Sequence, residues 1–330
     1  MIIVVTTEQG GFDRCSQELA KRLGVKEFRT KRYFVGKEED ELIEKLGQLE
    51  GRVHITNQNF ARYAGFLKAP FLVTVHDLIR NFHDFDGEKP SDLAMLRVDE
   101  YFVKQAEHVI AVSRTTKFDL VERLQIPPER ITVVYNGVDQ ATFRSYGDKW
   151  EAHHPYVLVV GSERPRKNLI QLAIALAIVR QKHSEIILVK AGGVGREASF
   201  GSEWRTAAER LRIPVVFTGG VSEDVLASLY RGALMLVFPS LMEGFGLPPL
   251  EAMACGCPVV ASAIPSVTEV VGDAGILVQP GSVDDLAWGI EKMLSSREEF
   301  IEKGLKRAKD FSWDVAAEET KKVYALVEGK

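Results

Sequence analysis

Glu243 and Glu251 are separated by seven residues within VFPSLMEGFGLPPLEAMACGCPVVAS, residues 237–262. Between them run Gly244-Phe245-Gly246-Leu247 and two prolines, Pro248 and Pro249, which can open a helix. Paired carboxylates of this kind suit the hydroxyl groups of a sugar or ribose. A glycine-hinged loop before a helix suits phosphate, because it leaves backbone N–H groups unpaired where the helix N-terminus adds positive potential. A ligand that carries both features is a nucleotide sugar. A plainer reading has Glu251 stabilising the first turn of its helix and Glu243 in a solvated loop.

A second cluster lies in VVGSERPRKNLIQLAIAL, 159–176. A strand ends at Gly161, and Arg164, Arg166 and Lys167 precede a helix that opens near Asn168. Three cations beside a helix N-terminus make a place for a polyanion. Two further points stand at strand ends. His76 closes the strand in TVHDL, and Gly10 and Gly11 sit between the first strand and the first helix, where a simple βα turn needs positive φ.

The elements that must position these residues follow from apolar runs. IIVV (2–5), FLVTV (71–75), VIAV (109–112) and ITVVY (131–135) are strands of a first half. YVLVV (156–160), IILV (186–189), PVVF (214–217), LMLVF (234–238), PVVA (258–261) and ILV (276–278) are strands of a second half. Near-continuous apolar strands alternating with helical patterns predict parallel sheets buried on both faces. Phe12, Cys15, Leu19 and Leu23 fall on one face of the first helix, which Gly24 ends. The pattern weakens at 137–155, read as a linker. The expected architecture is α/β, with two doubly wound Rossmann-like domains and a ligand cleft at the carboxyl ends of their strands. Their expected spans are 1–148 and 149–312, with a helix over 313–330, capped by Ser312, crossing back to the first domain.

The chain has 330 residues, suited to two domains, and a net charge of −4. That charge argues against a nucleic-acid binder that works by phosphate neutralisation. Cys15, Cys255 and Cys257 are too few and scattered for a disulfide framework or a zinc site. MIIVVTTEQGG reads as a strand and not a signal peptide. No apolar run reaches the ~20 residues that span a bilayer. A reduced cytoplasmic protein is expected, with peripheral attachment to a membrane left open. NFARYAGFLK (59–68) mixes aromatics with cations and is the stretch for such contact, although an ordinary amphipathic helix reads the same way.

FPSLMEGFGLPPLEAMACGCPVVAS resembles the E-x7-E signature of glycosyltransferase family 4, of the retaining GT-B superfamily. The likeness continues through the G-x-x-x-P-R-K-N form at 161–168, AVSRTTKFDL (111–120), PPERITVVYNGVDQATF (127–143) and FTGGVSEDVLASLY (217–230). It is strongest over 108–143 and 156–313, and 25–70 carries none of it. The resemblance implies a GT-B fold and retaining transfer of a hexose from a nucleotide-diphosphate sugar to a hydroxyl. It assigns Gly244, Phe245, Gly246 and Leu247 to the donor diphosphate, with Arg166 and Lys167 neutralising the leaving group. Glu251 falls to the ribose and Glu243 to the transferred sugar. It places His76 near the reacting carbon, Gly10 and Gly11 beside donor phosphate and acceptor, and Val221 against the base. Many relatives carry an arginine directly after the glycine. Here Ser162 stands there, so Arg164 or Arg166 supplies that charge.

Two lookalikes are set aside. DFD (84–86) mimics a metal-binding D-x-D but follows the His76 motif instead of a donor-domain strand. AGGVGREA (191–198) has a dinucleotide fingerprint's form, yet the next strand, ending VVFTGG, lacks the ribose-binding acid. With fixed cations and backbone N–H groups to stabilise the leaving diphosphate, no metal and no cofactor are expected. The expected partners are a nucleotide-sugar donor of GDP-mannose or UDP-glucose type, leaning to mannose, and a carbohydrate, lipid-linked or small-molecule acceptor. The alternatives are a nucleotide-sugar epimerase or hydrolase of the same architecture and a non-catalytic sugar-nucleotide binding protein.

Overall fold

The computed structural model describes residues 1–7, 11–31, 36–82, 89–194 and 198–329. These fall into two compact units, the first Met1 through Gly137 with Trp313 onward, the second Val138 through Ser312.

In the first unit, β1 (Ile2–Thr6) leads to α1 (Gly11–Leu23), β2 (Lys26–Thr30), α2 (Lys37–Gly47) and β3 (Val53–Ile55). A 3₁₀ segment over Gln58–Phe66 precedes β4 (Phe71–Val75), α3 (Ile79–Phe82) and α4 (Pro90–Gln105). Then come β5 (His108–Ala111), α5 (Arg114–Leu124) and β6 (Ile131–Val133). The six strands form one parallel sheet in the order β2-β1-β3-β4-β5-β6. Residues alternate between the faces of a strand, so β1 feeds two cores. Ile2 and Val4 join Leu42, Leu46 and Phe60 on one side. Ile3 and Val5 join Cys15, Leu19 and Leu23 of α1 on the other.

Two of these strands lie outside the expected set. β2, KEFRT, is a partly exposed edge strand, and an edge that meets solvent carries no continuous apolar run. β3, VHI, is only three residues long and has buried His54 at its centre.

The second unit contains β7 (Tyr156–Val160), α6 (Leu169–Val179), β8 (Ile187–Ala191), α7 (Ala198–Arg210), β9 (Val215–Gly219) and α8 (Glu223–Gly232). It continues with β10 (Met235–Phe238), α9 (Leu247–Ala254), β11 (Val259–Ser262), α10 (Pro265–Val271), β12 (Ile276–Val278), α11 (Val283–Ser295) and α12 (Arg297–Ala308). Its parallel sheet has the order β12-β11-β10-β7-β8-β9, and the six strands correspond to the six expected runs. From β7 the sheet grows one way through β8 and β9, and then the other way from β10. β7 and β10 are therefore neighbours, with Leu158 opposite Leu236. At this switch point the loops leaving their carboxyl ends diverge and open a ligand crevice. Those two loops hold the two charged motifs.

The stretch read as a linker packs on the second unit. Phe143 is buried, the Trp150 N–H donates to the Ser228 carbonyl at 3.0 Å, and Arg231 donates to the Asp148 carbonyl at 2.7 Å. α13 (Trp313–Glu328) returns to the first unit. It buries Trp313, Ala316, Ala317 and Tyr324 in the core that holds Ile3 and Val5. Tyr324 Oη and His54 Nδ1 are 2.7 Å apart, and His54 Nε2 is 2.8 Å from Thr74 Oγ1. Among the described residues no helix is long and apolar enough to cross a membrane.

Candidate functional site

The loop after β7 is short and bent. Gly161 adopts φ of 135°, a conformation that L side chains rarely take. Its N–H donates to the Ala191 carbonyl at 2.9 Å. A Cβ here would lie 3.1 Å from Lys167 Cε and 3.4 Å from Lys167 Nζ. The bare glycine thus lets the lysine amine come down onto the strand end. Pro165–Lys167 form one 3₁₀ turn, and left-handed Asn168 then starts α6.

The loop after β10 meets this turn. The Leu241 N–H donates to the Arg166 carbonyl at 2.8 Å, and Arg166 Nη1 donates to the Met242 carbonyl at 3.0 Å. Glu243 stands between the cations. Its Oε1 is 2.5 Å from Lys167 Nζ and its Oε2 is 3.0 Å from Arg166 Nη1. Lys167 also sits 4.8 Å from the centre of the Phe238 ring, a cation–π contact. Ser266, in the first turn of α10, donates to the Glu243 carbonyl at 2.6 Å.

Burial opposes charge on Glu243, but Arg166 and Lys167 outweigh it and bring the carboxyl down to about 2. Burial also lowers Lys167, with Glu243 holding the ammonium form against it and the Arg166 and Arg164 charges adding to the depression. At neutral pH the group is a carboxylate between two cations, with Arg164 close enough to be felt. These four residues sum to +2, the complement of a diphosphate diester.

Gly246, with φ of 118°, precedes α9. The first N–H groups of a helix have no intrahelical partner, and Pro248 and Pro249 remove two of them. The amides of Gly246 and Leu247 remain at this helix start. Glu251, one turn into α9, is 3% exposed and accepts a hydrogen bond from Tyr230 Oη at 3.0 Å. Burial, followed by the Glu251 charge, holds the Tyr230 phenol protonated, so the bond has a fixed direction. Gly244 and Phe245 complete the loop, and Phe245 is buried edge-on to Phe311. Val221 lies between β9 and the Ser222 cap of α8.

His76 belongs to the first unit, directly after β4, and is buried. Its Nε2 is 2.9 Å from the Thr56 carbonyl. A carbonyl can only accept, so Nε2 carries the proton. Burial brings the imidazole down to about 4 despite that hydrogen bond, and the ring is neutral at physiological pH. Gly11 opens α1. Gly10 and the DFD triplet lie outside the described residues.

The second unit therefore brings Arg166, Lys167 and Glu243 into direct contact. Sequence reading missed Tyr230, Phe238 and Ser266. Tyr230 ends the quoted FTGGVSEDVLASLY segment, where its only signal was a tyrosine on the apolar face of α8. Three residues nearby, Glu163, Lys190 and Arg205, were also missed.

Comparison with known proteins finds relatives along nearly the whole chain. The family model "Glycosyl transferases group 1" matches residues 148–309, and "Glycosyltransferase Family 4" matches residues 52–142. O-antigen chain mannosyltransferase B of Escherichia coli is 28% identical, and the match covers 96% of each chain. O-antigen chain mannosyltransferase RfbU of Salmonella typhimurium is 32% identical over 66% of this chain and 58% of its own length. The crystal structure of Anabaena Alr3699/HepE in complex with UDP and glucose superposes with a TM-score of 0.80. It is 19% identical and covers 98% of both chains. Two parallel six-stranded sheets with flanking helices, matched over this length, define the GT-B fold. The chain belongs to the family 4, group 1 glycosyltransferases.

Proposed function

We propose that this glycosyltransferase moves a hexose, with mannose favoured, from a nucleotide-diphosphate sugar to a hydroxyl of a glycan or lipid-linked acceptor, with retention of anomeric configuration. The observation that carries the reading is the Lys167–Glu243–Arg166 cluster at the β7/β10 switch point. The leaving diphosphate takes Lys167, Arg166 and Arg164 as counter-charges and the amides of Gly246 and Leu247 as donors, where fixed dipoles are most effective. Glu251, oriented by Tyr230, holds the ribose. Glu243 holds hydroxyls of the transferred sugar, and His76 contacts that sugar near its reacting carbon. Val221 and Gly11 complete the donor contacts.

Glu243 is a poor nucleophile in this setting, because two cations stabilise its carboxylate. That favours same-face attack on a short-lived oxocarbenium-like species over a covalent glycosyl-enzyme. Since side-chain cations supply the charge, transfer needs no divalent metal. The relatives named as O-antigen mannosyltransferases support a mannosyl donor, and the HepE complex with UDP supports a nucleoside diphosphate.

Calorimetry with GDP, UDP and their sugars, followed by a transfer assay in excess chelator, tests the reading. Binding of a nucleoside diphosphate sugar with unchanged rate after chelation is expected. Failure of every nucleotide sugar to bind would overturn it, and loss of rate with chelator would overturn metal independence. Product of inverted configuration by NMR would overturn retention.

A further inference from the structure

A second ionic cluster lies behind the loop that carries Arg166 and Lys167. Glu163, two residues past Gly161, and Lys190, the fourth residue of β8, are each 1% exposed. Glu163 Oε1 lies 3.6 Å from Lys190 Nζ and 2.8 Å from Arg205 Nη2, on α7. The Arg205 guanidinium also sits 4.4 Å from the centre of the Phe217 ring. Lys190 donates to the carbonyls of Gly192 at 2.6 Å and Gly193 at 3.2 Å. The other carboxylate oxygen, Glu163 Oε2, is buried with no hydrogen-bond partner among the described residues.

Two buried charges and an orphan oxygen, met by a half-exposed arginine, are a poor way to stabilise an interior. Apolar side chains of similar volume are often neutral or better there. The surroundings give the cluster another use. The Glu163 N–H donates to the Gly193 carbonyl at 3.3 Å. Gly192 comes so close to Gly161 that a Cβ on it would lie 2.4 Å from the Gly161 oxygen. Gly161 in turn lies directly against the Lys167 amine. Ion cluster, Gly192–Gly193 turn, Gly161 and Lys167 are thus one contiguous stack. The Lys190 clamp fixes the carbonyls of the turn, and Glu163 and Arg205 fix Lys190 and the loop above it.

We propose that Glu163, Lys190 and Arg205 are positioning residues for sugar transfer, a buried Glu163–Lys190 pair braced by the half-exposed Arg205, which locks the β7 and β8 turns together and so sets the Lys167 amine against the leaving phosphate. This rests on the role of Lys167 proposed above. The triad touches no substrate. It acts by holding Gly161 at the height where Lys167 meets both Glu243 and the donor.

The test is a kinetic double-mutant cycle with thermal denaturation alongside. The variants are Lys167→Ala, the neutral pair Glu163→Gln/Lys190→Met, and all three changes together. A positioning role predicts that the neutral pair lowers kcat by about 10- to 100-fold, since misplacement near 1 Å costs that much. Donor KM should stay within about threefold, because the binding groups are retained. In the Lys167→Ala background the same pair should cost less than about twofold, since the two act through one group. An equal loss of kcat in both backgrounds overturns the proposal, as does a lowered Tm with normal kcat in the folded enzyme. Should the neutral pair not fold, Gly201→Ala serves instead. Its Cβ would come 2.7 Å from Glu163 Oε2 and displace that carboxylate, and wild-type kcat in it also overturns the proposal. Near-normal turnover in Lys167→Ala alone refutes the underlying reading of Lys167. An impaired Lys167→Ala beside a fully active neutral pair refutes only the positioning role.

Discussion

Lys167 Nζ and Glu243 Oε1 are 2.5 Å apart although they lie 76 positions apart in the chain. The contact joins the loop after β7 to the loop after β10, and it exists because those strands are neighbours only at the switch point of the sheet. Lys167→Ala removes the ammonium facing the leaving group and should cut transfer by about 10²-fold or more. Steady-state kinetics on the folded variant measures this, and turnover near that of the parent would remove Lys167 from the chemistry.

The Tyr230–Glu251 bond makes a separate prediction for donor binding. Tyr230→Phe leaves the buried carboxylate without its phenol donor, and one hydrogen bond to a charged group contributes about 1.5–3 kcal/mol. Donor affinity should fall by about tenfold with kcat little changed, because Glu251 is assigned to the ribose and not to the reacting carbon. Glu251→Ala should lose more affinity with the fold intact. Titration calorimetry with the nucleoside diphosphate alone is the measurement, and unchanged affinity in Glu251→Ala would take that residue out of the site.

Gly161 offers a steric prediction. Alanine there must adopt φ near 135° and bring its methyl to 3.1 Å from Lys167 Cε. Backbone strain of this kind costs about 1–3 kcal/mol, and the methyl also pushes the amine off Glu243. Gly161→Ala should therefore lose both stability and kcat. Adding Lys167→Ala should restore part of the stability and none of the kcat. Thermal denaturation of the two variants decides it, and equal melting temperatures would show that the amine is not crowded.

The sequence revealed these loops because their composition is local. Gly246, Pro248, Arg166 and Lys167 announce a phosphate-binding turn within a few residues, and the apolar runs announce the strands beneath. Partners supplied by other elements were not legible. Nothing near Glu251 points to Tyr230 at the end of α8, and Lys190 looks like an interruption in the ILVKA strand until the sheet places it beside Glu163. β2 escaped for a related reason, since KEFRT has the composition of a solvated turn and becomes a strand only by pairing with β1. The stretch at 137–155 looked like a linker because its packing residues, Phe143 and Trp150, are spaced too irregularly to show periodicity.

Acid should loosen the two units in a fixed order. Burial lowers His54 to about 3, helped by its neighbour His76, which burial lowers to about 4. Below the ordinary histidine value near 6.5 the unfolded chain binds protons that the native unit refuses, so stability falls as pH drops through that range. The contribution is fully present above 6.5 and is lost towards 4 and then 3. Glu243 has the same sign over a lower window. Its carboxyl is held at about 2 against 4.5 when unfolded, and its contribution is lost only as pH falls from 4.5 towards 2. Asp99 opposes the trend in the first unit, because burial raises its carboxyl above the ordinary 3.8, but histidine protonation begins at higher pH. Hydrogen exchange at pH 7, 5.5 and 4.5, corrected for intrinsic rates, should show β3 and β4 losing protection before β7 and β10. Replacing His54 and His76 with glutamine should flatten the decline of the first unit between pH 6.5 and 4.5. First-unit strands that keep full protection at pH 4.5 would mean that neither histidine is held neutral by the fold.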